Sequence, residues 1–163
     1  MSIIEGVICI IFFCVAWICY IEYSKIRINK RKLSFKESMD LTELPIITMY
    51  QGENKFNFLL DTGSNDSILS KPASRTLKGT YAPCKRGIEG LGGGDVSGKV
   101  CATTLEYKGM EFYAEFYVSD AVTATFTSIK KATGVHIHGI LGTKFLQRYR
   151  YVLDFNELVA YNK

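Results

Sequence analysis

An apolar run that ends on an acid is the first stretch with chemical content. Residues 56–64 read Phe-Asn-Phe-Leu-Leu-Asp-Thr-Gly-Ser. A carboxylate at the end of a buried strand is costly unless it is hydrogen-bonded or shares a proton, which makes Asp61 a candidate for proton chemistry. Gly63 permits a tight turn and a close approach of neighbouring backbone. The Thr62 hydroxyl is a donor for a facing backbone group. Taken alone, the triplet is equally an Asx-type turn after a strand.

Two further stretches accompany it. Residues 87–98 read GIEGLGGGDVSG, a glycine-rich tip between two strand-like arms. Residues 138–142 read HGILG, followed by a helix-like segment and then Val152-Leu153-Asp154-Phe155. Together, in this order, the three elements resemble the retroviral-type, or retropepsin-like, aspartic proteases over residues 44–163. The resemblance implies a mainly β fold, a closed barrel with one or two short helices. It implies that Asp61 is catalytic and that Thr62, Gly63 and Ser64 support it. It also implies a substrate-binding flap at Gly90, Leu91, Gly92 and Gly93, and a second apolar-Gly motif at Ile140, Leu141 and Gly142. Asp154 also follows an apolar strand and is the competing acid.

The chemistry so implied uses two carboxylates that share a proton and hold a water between them. Neighbouring like charges cannot both ionise, so one acts as base and the other as acid. A chain with one Asp-Thr-Gly must then form its site at the two-fold axis of a homodimer, acting on a peptide or protein substrate without metal or cofactor. The sequence departs from the family pattern in places. Lys144 stands where many bacterial relatives carry Asp, Ser64 stands where retroviral enzymes more often have Ala, and residues 71–86 match no recognised part. A Ser after Gly63 is expected to donate to the Asp61 carboxylate. Two rival readings stay open: the same barrel as a non-catalytic peptide-binding or dimerisation module, and a small tethered β-barrel unrelated to proteases.

Other site readings fail on physical grounds. The glycine run lacks the Lys-Ser/Thr of a phosphate loop, and no helix follows it. His136 and His138 fall on one side of a strand, but the chain has only two histidines, so no metal site is expected. Cys84 and Cys101 bracket the flap and can face each other in one hairpin register.

The elements that must position Asp61 read as short strands with frequent turns. Residues 44–50 and 56–60 form a hairpin across 51–55, and 65–70 form another strand. Residues 100–107 and 111–118 form a hairpin across Lys108-Gly109. A short helix is expected over 127–133, stopping at Gly134, then a strand over 136–141 and a helix over 143–150. Residues 151–155 and 158–161 close the chain as a hairpin.

Residues 3–21 are apolar apart from Glu5, and would span roughly 28 Å as a helix. Trp17, Tyr20 and Tyr23 suit an interface. Without a basic start or a small-residue cleavage site, this reads as a retained transmembrane anchor (residues 1–22) rather than a cleaved signal. Six of the 20 basic residues (Lys25, Arg27, Lys30, Arg31, Lys32, Lys36) follow directly; beyond them 14 basic and 14 acidic residues balance. The net charge of +4 therefore describes a collar, not a nucleic-acid-binding face. The positive-inside rule places the domain in the cytoplasm on a single-pass anchor. Residues 23–43 read as a basic, then polar, juxtamembrane linker.

Overall fold

The computed structural model describes residues 3–30, 32–84 and 98–163. The expected flap residues Gly90, Leu91, Gly92 and Gly93 lie outside the described residues.

Helix α1 (Ile3–Lys30) runs through the apolar segment and into the basic collar without a break. Its described side chains, Ile8, Phe12, Phe13, Trp17 and Tyr20 among them, are exposed. Among the described residues no helix is long and apolar enough to cross a membrane, so the expected span of residues 3–21 is not shown.

The stretch read as a polar linker is instead partly helical. Helix α2 (Phe35–Thr42) starts at Ser34 with a reciprocal capping box to Glu37 and ends at Glu43 in the left-handed conformation. Such a cap satisfies two orphan backbone donors at once. The helix packs on the barrel because Phe35 is only 2% exposed and meets the Phe155 ring edge-on at 5.5 Å. A polar pattern concealed this: one phenylalanine and the adjoining Leu33 carry the burial.

Strands β1 (Ile46–Gln51) and β2 (Asn54–Leu60) form the first hairpin, with Gly52 at positive φ in the turn. Strand β3 (Ser67–Ser70) follows the loop that contains Asp61. Strand β4 (Thr80–Pro83) pairs with β5 (Lys99–Tyr107), and β5 returns as β6 (Met110–Ser119). Lys108 and Gly109 both have positive φ, as a two-residue hairpin turn of the favoured twist requires. Helix α3 (Thr123–Thr133) stops at Gly134 in the left-handed conformation, as expected, but starts four residues earlier than the sequence pattern. Strand β7 is shorter than read, Gly139–Leu141, and α4 covers Thr143–Arg148. Strands β8 (Tyr151–Asp154) and β9 (Val159–Asn162) form a separate hairpin.

The sheet order β1-β2-β7-β3-β6-β5 closes through a β1–β5 pairing at Tyr50 and Glu106, giving a six-stranded barrel with β4 added to β5. Alternation fills it. Cys101, Thr103, Leu105 and Tyr107 of β5, and Phe112, Ala114, Phe116 and Val118 of β6, point inward and are buried. Phe58 stacks on Phe116 with ring centroids 5.1 Å apart. Each such ring contributes about 1.5–3 kcal/mol by leaving water. A second cluster of Leu33, Ile46, Phe126, Val135, Ile137 and Ile140 seals the opposite side of β1 and β7.

Candidate active site

Strand β2 runs apolar until its last buried residue, Leu60, and delivers Asp61 to the surface half-buried. The parallel partner β7 fixes that end: Leu60 lies opposite Leu141, and the Asp61 N–H donates to the Leu141 carbonyl at 3.1 Å. The sequence therefore brings Asp61 and Ile140-Leu141-Gly142 together, as expected. Ile140 is opposite both Leu59 and Ile68, so β7 is inserted between the strands that enter and leave the Asp61 loop.

Within the loop, the Gly63 N–H donates to Asp61 Oδ1 at 2.8 Å, and the Ser64 N–H to the Asp61 carbonyl at 3.4 Å. A Cβ at Gly63 would sit 3.2 Å from that carboxylate oxygen, so glycine gives the turn its close fit. Thr62 and Gly63 are exposed at the surface beside Asp61. The Asp61 carboxylate is held by a backbone N–H on one oxygen, in an Asx-like turn, and is open on the other side among the described residues.

The far side of the loop is bound to the start of α4. The Thr143 N–H donates to the Ser64 carbonyl at 2.8 Å and the Lys144 N–H to the Asn65 carbonyl at 3.1 Å. The Gly142 N–H donates to Ser67 Oγ at 3.2 Å. Gly142 is buried under the loop itself: a Cβ there would lie 2.4 Å from the Asp66 carbonyl oxygen and 2.8 Å from that of Ser64. This is the physical content of the second apolar-Gly motif. Ile140 and Leu141 supply the buried strand, and Gly142 lets the loop lie directly on it.

The expected role of Ser64 is corrected. Its hydroxyl donates to the Asp66 carbonyl at 2.7 Å, not to the Asp61 carboxylate. The turn that seats Asp61 points the Ser64 side chain along the chain toward residue 66. Lys144, the departure noted in the sequence, makes an ion pair with Asp66, which ties the start of α4 to the Asp61 loop. Asp154 is a turn residue: its Oδ1 accepts from the Asn156 and Glu157 N–H groups at 2.9 and 3.0 Å.

The two histidines serve the fold. His138 Nδ1 accepts from the Asn57 N–H at 3.0 Å, and the His138 backbone N–H donates to the Asn57 carbonyl at 2.8 Å. Burial, with the neighbouring His136 ring 4.3 Å away, holds the His138 pKa down at about 3. His136 is lowered too, by burial and then by Lys130. Among the described residues no three His, Cys, Asp or Glu side chains gather closely enough to hold a metal. The β4–β5 register puts Tyr81 opposite Cys101 and brings the Cys84 N–H to the Gly98 carbonyl at 2.6 Å. Cys84 and Cys101 are therefore out of register with one another and are not joined by a disulfide.

Two features were not read from the sequence. One is a polar chain inside the barrel wall: the Leu33 N–H donates to Thr48 Oγ1 at 2.7 Å, and Thr48 Oγ1 to Asn57 Oδ1 at 2.8 Å. Asn57 Nδ2 continues it to the His136 carbonyl at 2.8 Å. The other is a cleft of about 300 Å³ between β6 and α4, beside the Asp66–Lys144 pair. In it the Arg148 guanidinium lies 5.6 Å from the Tyr113 ring centre, and the Tyr113 hydroxyl donates to Glu115. Only the outward alternation of Tyr113, Glu115 and Tyr117 on β6 hints at that cleft.

Comparison with known proteins adds the following. The model of a family described as aspartyl protease matches residues 47–145. Among solved structures, the EIAV protease complexed with the inhibitor HBY-793 is 25% identical, with 67% of this chain and 90% of that chain covered and a TM-score of 0.48. The retroviral protease-like domain of Ddi1 from Leishmania major is 16% identical, covers 74% of this chain and 86% of that one, and has a TM-score of 0.50. That second likeness is one of fold. No curated protein matches this chain.

Proposed function

The chain belongs to the aspartyl protease family, and from that premise we propose that it is an aspartic endopeptidase whose active site forms between two copies, each contributing Asp61. One observation carries the reading: Asp61 leaves the barrel at the end of β2, its loop is bonded to the β7–α4 junction, and its carboxylate faces the surface beside exposed Thr62 and Gly63. The chain has one Asp-Thr-Gly, and the reaction needs a second carboxylate within proton-sharing distance.

In the dimer, one Asp61 takes a proton from a water held between the pair. That water attacks the peptide carbonyl, while the protonated partner carboxyl donates to the carbonyl oxygen. The pair titrates as a unit. The Gly63 N–H holds one oxygen of each carboxylate in place. The segment proposed to cover the bound peptide and exclude water is the glycine-rich stretch Gly90, Leu91, Gly92 and Gly93, which lies outside the described residues.

The same proposal includes an anchor. The apolar side chains of α1 are exposed around the helix, and burial of that surface in hydrocarbon is the physical way to remove it from water. The basic collar then places the barrel on the cytoplasmic face of a single-pass protein.

The test is turnover of a randomised peptide library by the full chain in detergent. Wild type is expected to cleave and Asp61→Asn not to, with Asp154→Asn close to wild type. Equal turnover by wild type and Asp61→Asn would refute the assignment and leave the chain a non-catalytic module.

A further inference from the structure

We propose that the substrates of this protease are peptide segments lying close to the membrane surface in proteins of the same bilayer, because the barrel begins almost where α1 ends. The inference rests on the protease and anchor readings above.

Helix α1 continues to Lys30. Only Arg31 separates it from residues already bound to the barrel. Lys32 Nζ lies 5.9 Å from the centre of the Tyr50 ring. Leu33 is 3% exposed, in a cluster with Ile46 and Ile140, and its N–H is bonded to Thr48. Phe35 is buried at the start of α2, and the Ser38 hydroxyl accepts the Ile46 N–H at 2.9 Å. What reads in sequence as a polar linker is thus, from Leu33 onward, a docked segment.

The reach of the site follows from chain dimensions. Three steps from Lys30 to Leu33 span at most about 10 Å. Two hydrogen bonds lead from Leu33 through Thr48 to Asn57. Asp61 lies four residues further along β2, about 13 Å. Asp61 is therefore within about 30 Å of the end of α1. The helical stretch from Tyr23 to Lys30 adds about 10 Å at most.

A site held within some 40 Å of the bilayer meets segments of membrane proteins at effective concentrations in the millimolar range. A diffusible protein gains nothing from the tether. A bond held far above the membrane on a rigid stalk cannot be reached at all. The docking of residues 32–43 removes the reach of about 40 Å that the same twelve residues would have as a free, fully extended linker.

The experiment uses the full chain in vesicles of phosphatidylcholine and phosphatidylglycerol. A peptide sequence cut by the detergent-solubilised protein is placed in two single-span reporters. In one it follows a short flexible spacer of about a dozen residues. In the other it follows a rigid (EAAAK) spacer of about 80 residues, which raises it roughly 120 Å. The near reporter is expected to be cut about tenfold faster or more. Inserting the same rigid spacer between residues 31 and 32 of the protease should reverse the preference, and detergent should abolish it. Equal cleavage of the two reporters by the native chain, or a preference for the near one that survives the inserted spacer, overturns the inference. Failure of the underlying readings registers separately: no cleavage of the free peptide in detergent removes the protease, and loss of the chain from vesicles on carbonate washing removes the anchor.

Discussion

Replacing Gly142 by alanine should move the Asp61 loop without altering any group of the proposed dyad. Gly142 has φ −84°, a value open to alanine, so the backbone itself is not strained. The perturbation is purely steric. The new Cβ would start 2.4 Å from the Asp66 carbonyl oxygen, 2.7 Å from its carbonyl carbon and 2.8 Å from the Ser64 carbonyl oxygen, where ordinary contact begins at 3.4 Å. All three are backbone atoms and cannot rotate away, so residues 64–66 must lift by about 1 Å. That motion stretches the bonds from Thr143 and Lys144 to Ser64 and Asn65 and carries Asp61 with it. Misplacement of a catalytic group by 1 Å costs about 100-fold in rate, and overpacking costs about 1–3 kcal/mol of stability. The assay is kcat/KM per folded protein beside a urea denaturation curve. Gly139→Ala is the control. Its Cβ would lie 2.4 Å from the Ile68 carbonyl, so it should destabilise the barrel to a similar degree while losing less than about tenfold in kcat/KM. Gly142→Ala with kcat/KM within about threefold of wild type, or a structure of the variant with the Ser64 and Asp66 carbonyls unmoved, would refute the argument.

Further expectations concern single residues. Ser64→Ala should leave the acid limb of the pH–rate profile in place and lower stability by about 1 kcal/mol, because its hydroxyl serves the Asp66 carbonyl; an acid limb displaced by half a unit or more would return Ser64 to the carboxylate. Phe35→Ala should cost about 3–5 kcal/mol in a urea melt, against almost nothing if residues 33–43 were a loose linker. His138 has its folded pKa depressed to about 3, first by burial and then by His136, Lys55 and Lys130, which oppose its charge. The unfolded chain therefore binds the extra proton first, and the stability that depends on a neutral His138 is complete above about pH 6.5 and lost as pH falls toward 3. The loss approaches about 1.4 kcal/mol per unit at most and is smaller where water reaches the ring. Comparing urea midpoints at pH 7 and pH 5 for wild type and His138→Asn isolates it: the gap between the two proteins should narrow at pH 5, and a gap that does not change removes His138 from the acid response.

What the order of residues determined by itself is local. The alternation in β5 and β6, the Lys108-Gly109 turn, the Gly134 stop of α3 and the apolar approach to Asp61 depend on period and backbone freedom over a few residues. The pairing of the Asp61 loop with Ile140-Leu141-Gly142 was legible only through the resemblance of three motifs in order, since nothing local links residues some 80 positions apart. Tertiary structure decided the rest, because burial and hydrogen-bond partners are properties of neighbours in space. It turned the Ser64 hydroxyl to Asp66, since the turn around Gly63 leaves the Asp61 carboxylate to a backbone N–H. It made residues 33–43 part of the barrel, since Leu33 and Phe35 found apolar surface and the Leu33 N–H found Thr48. It set Cys84 three places out of register with Cys101 through the pairing of β4 with β5. In each case the residue type allowed several partners, and the choice fell to whichever group the closed barrel placed within hydrogen-bonding or contact distance.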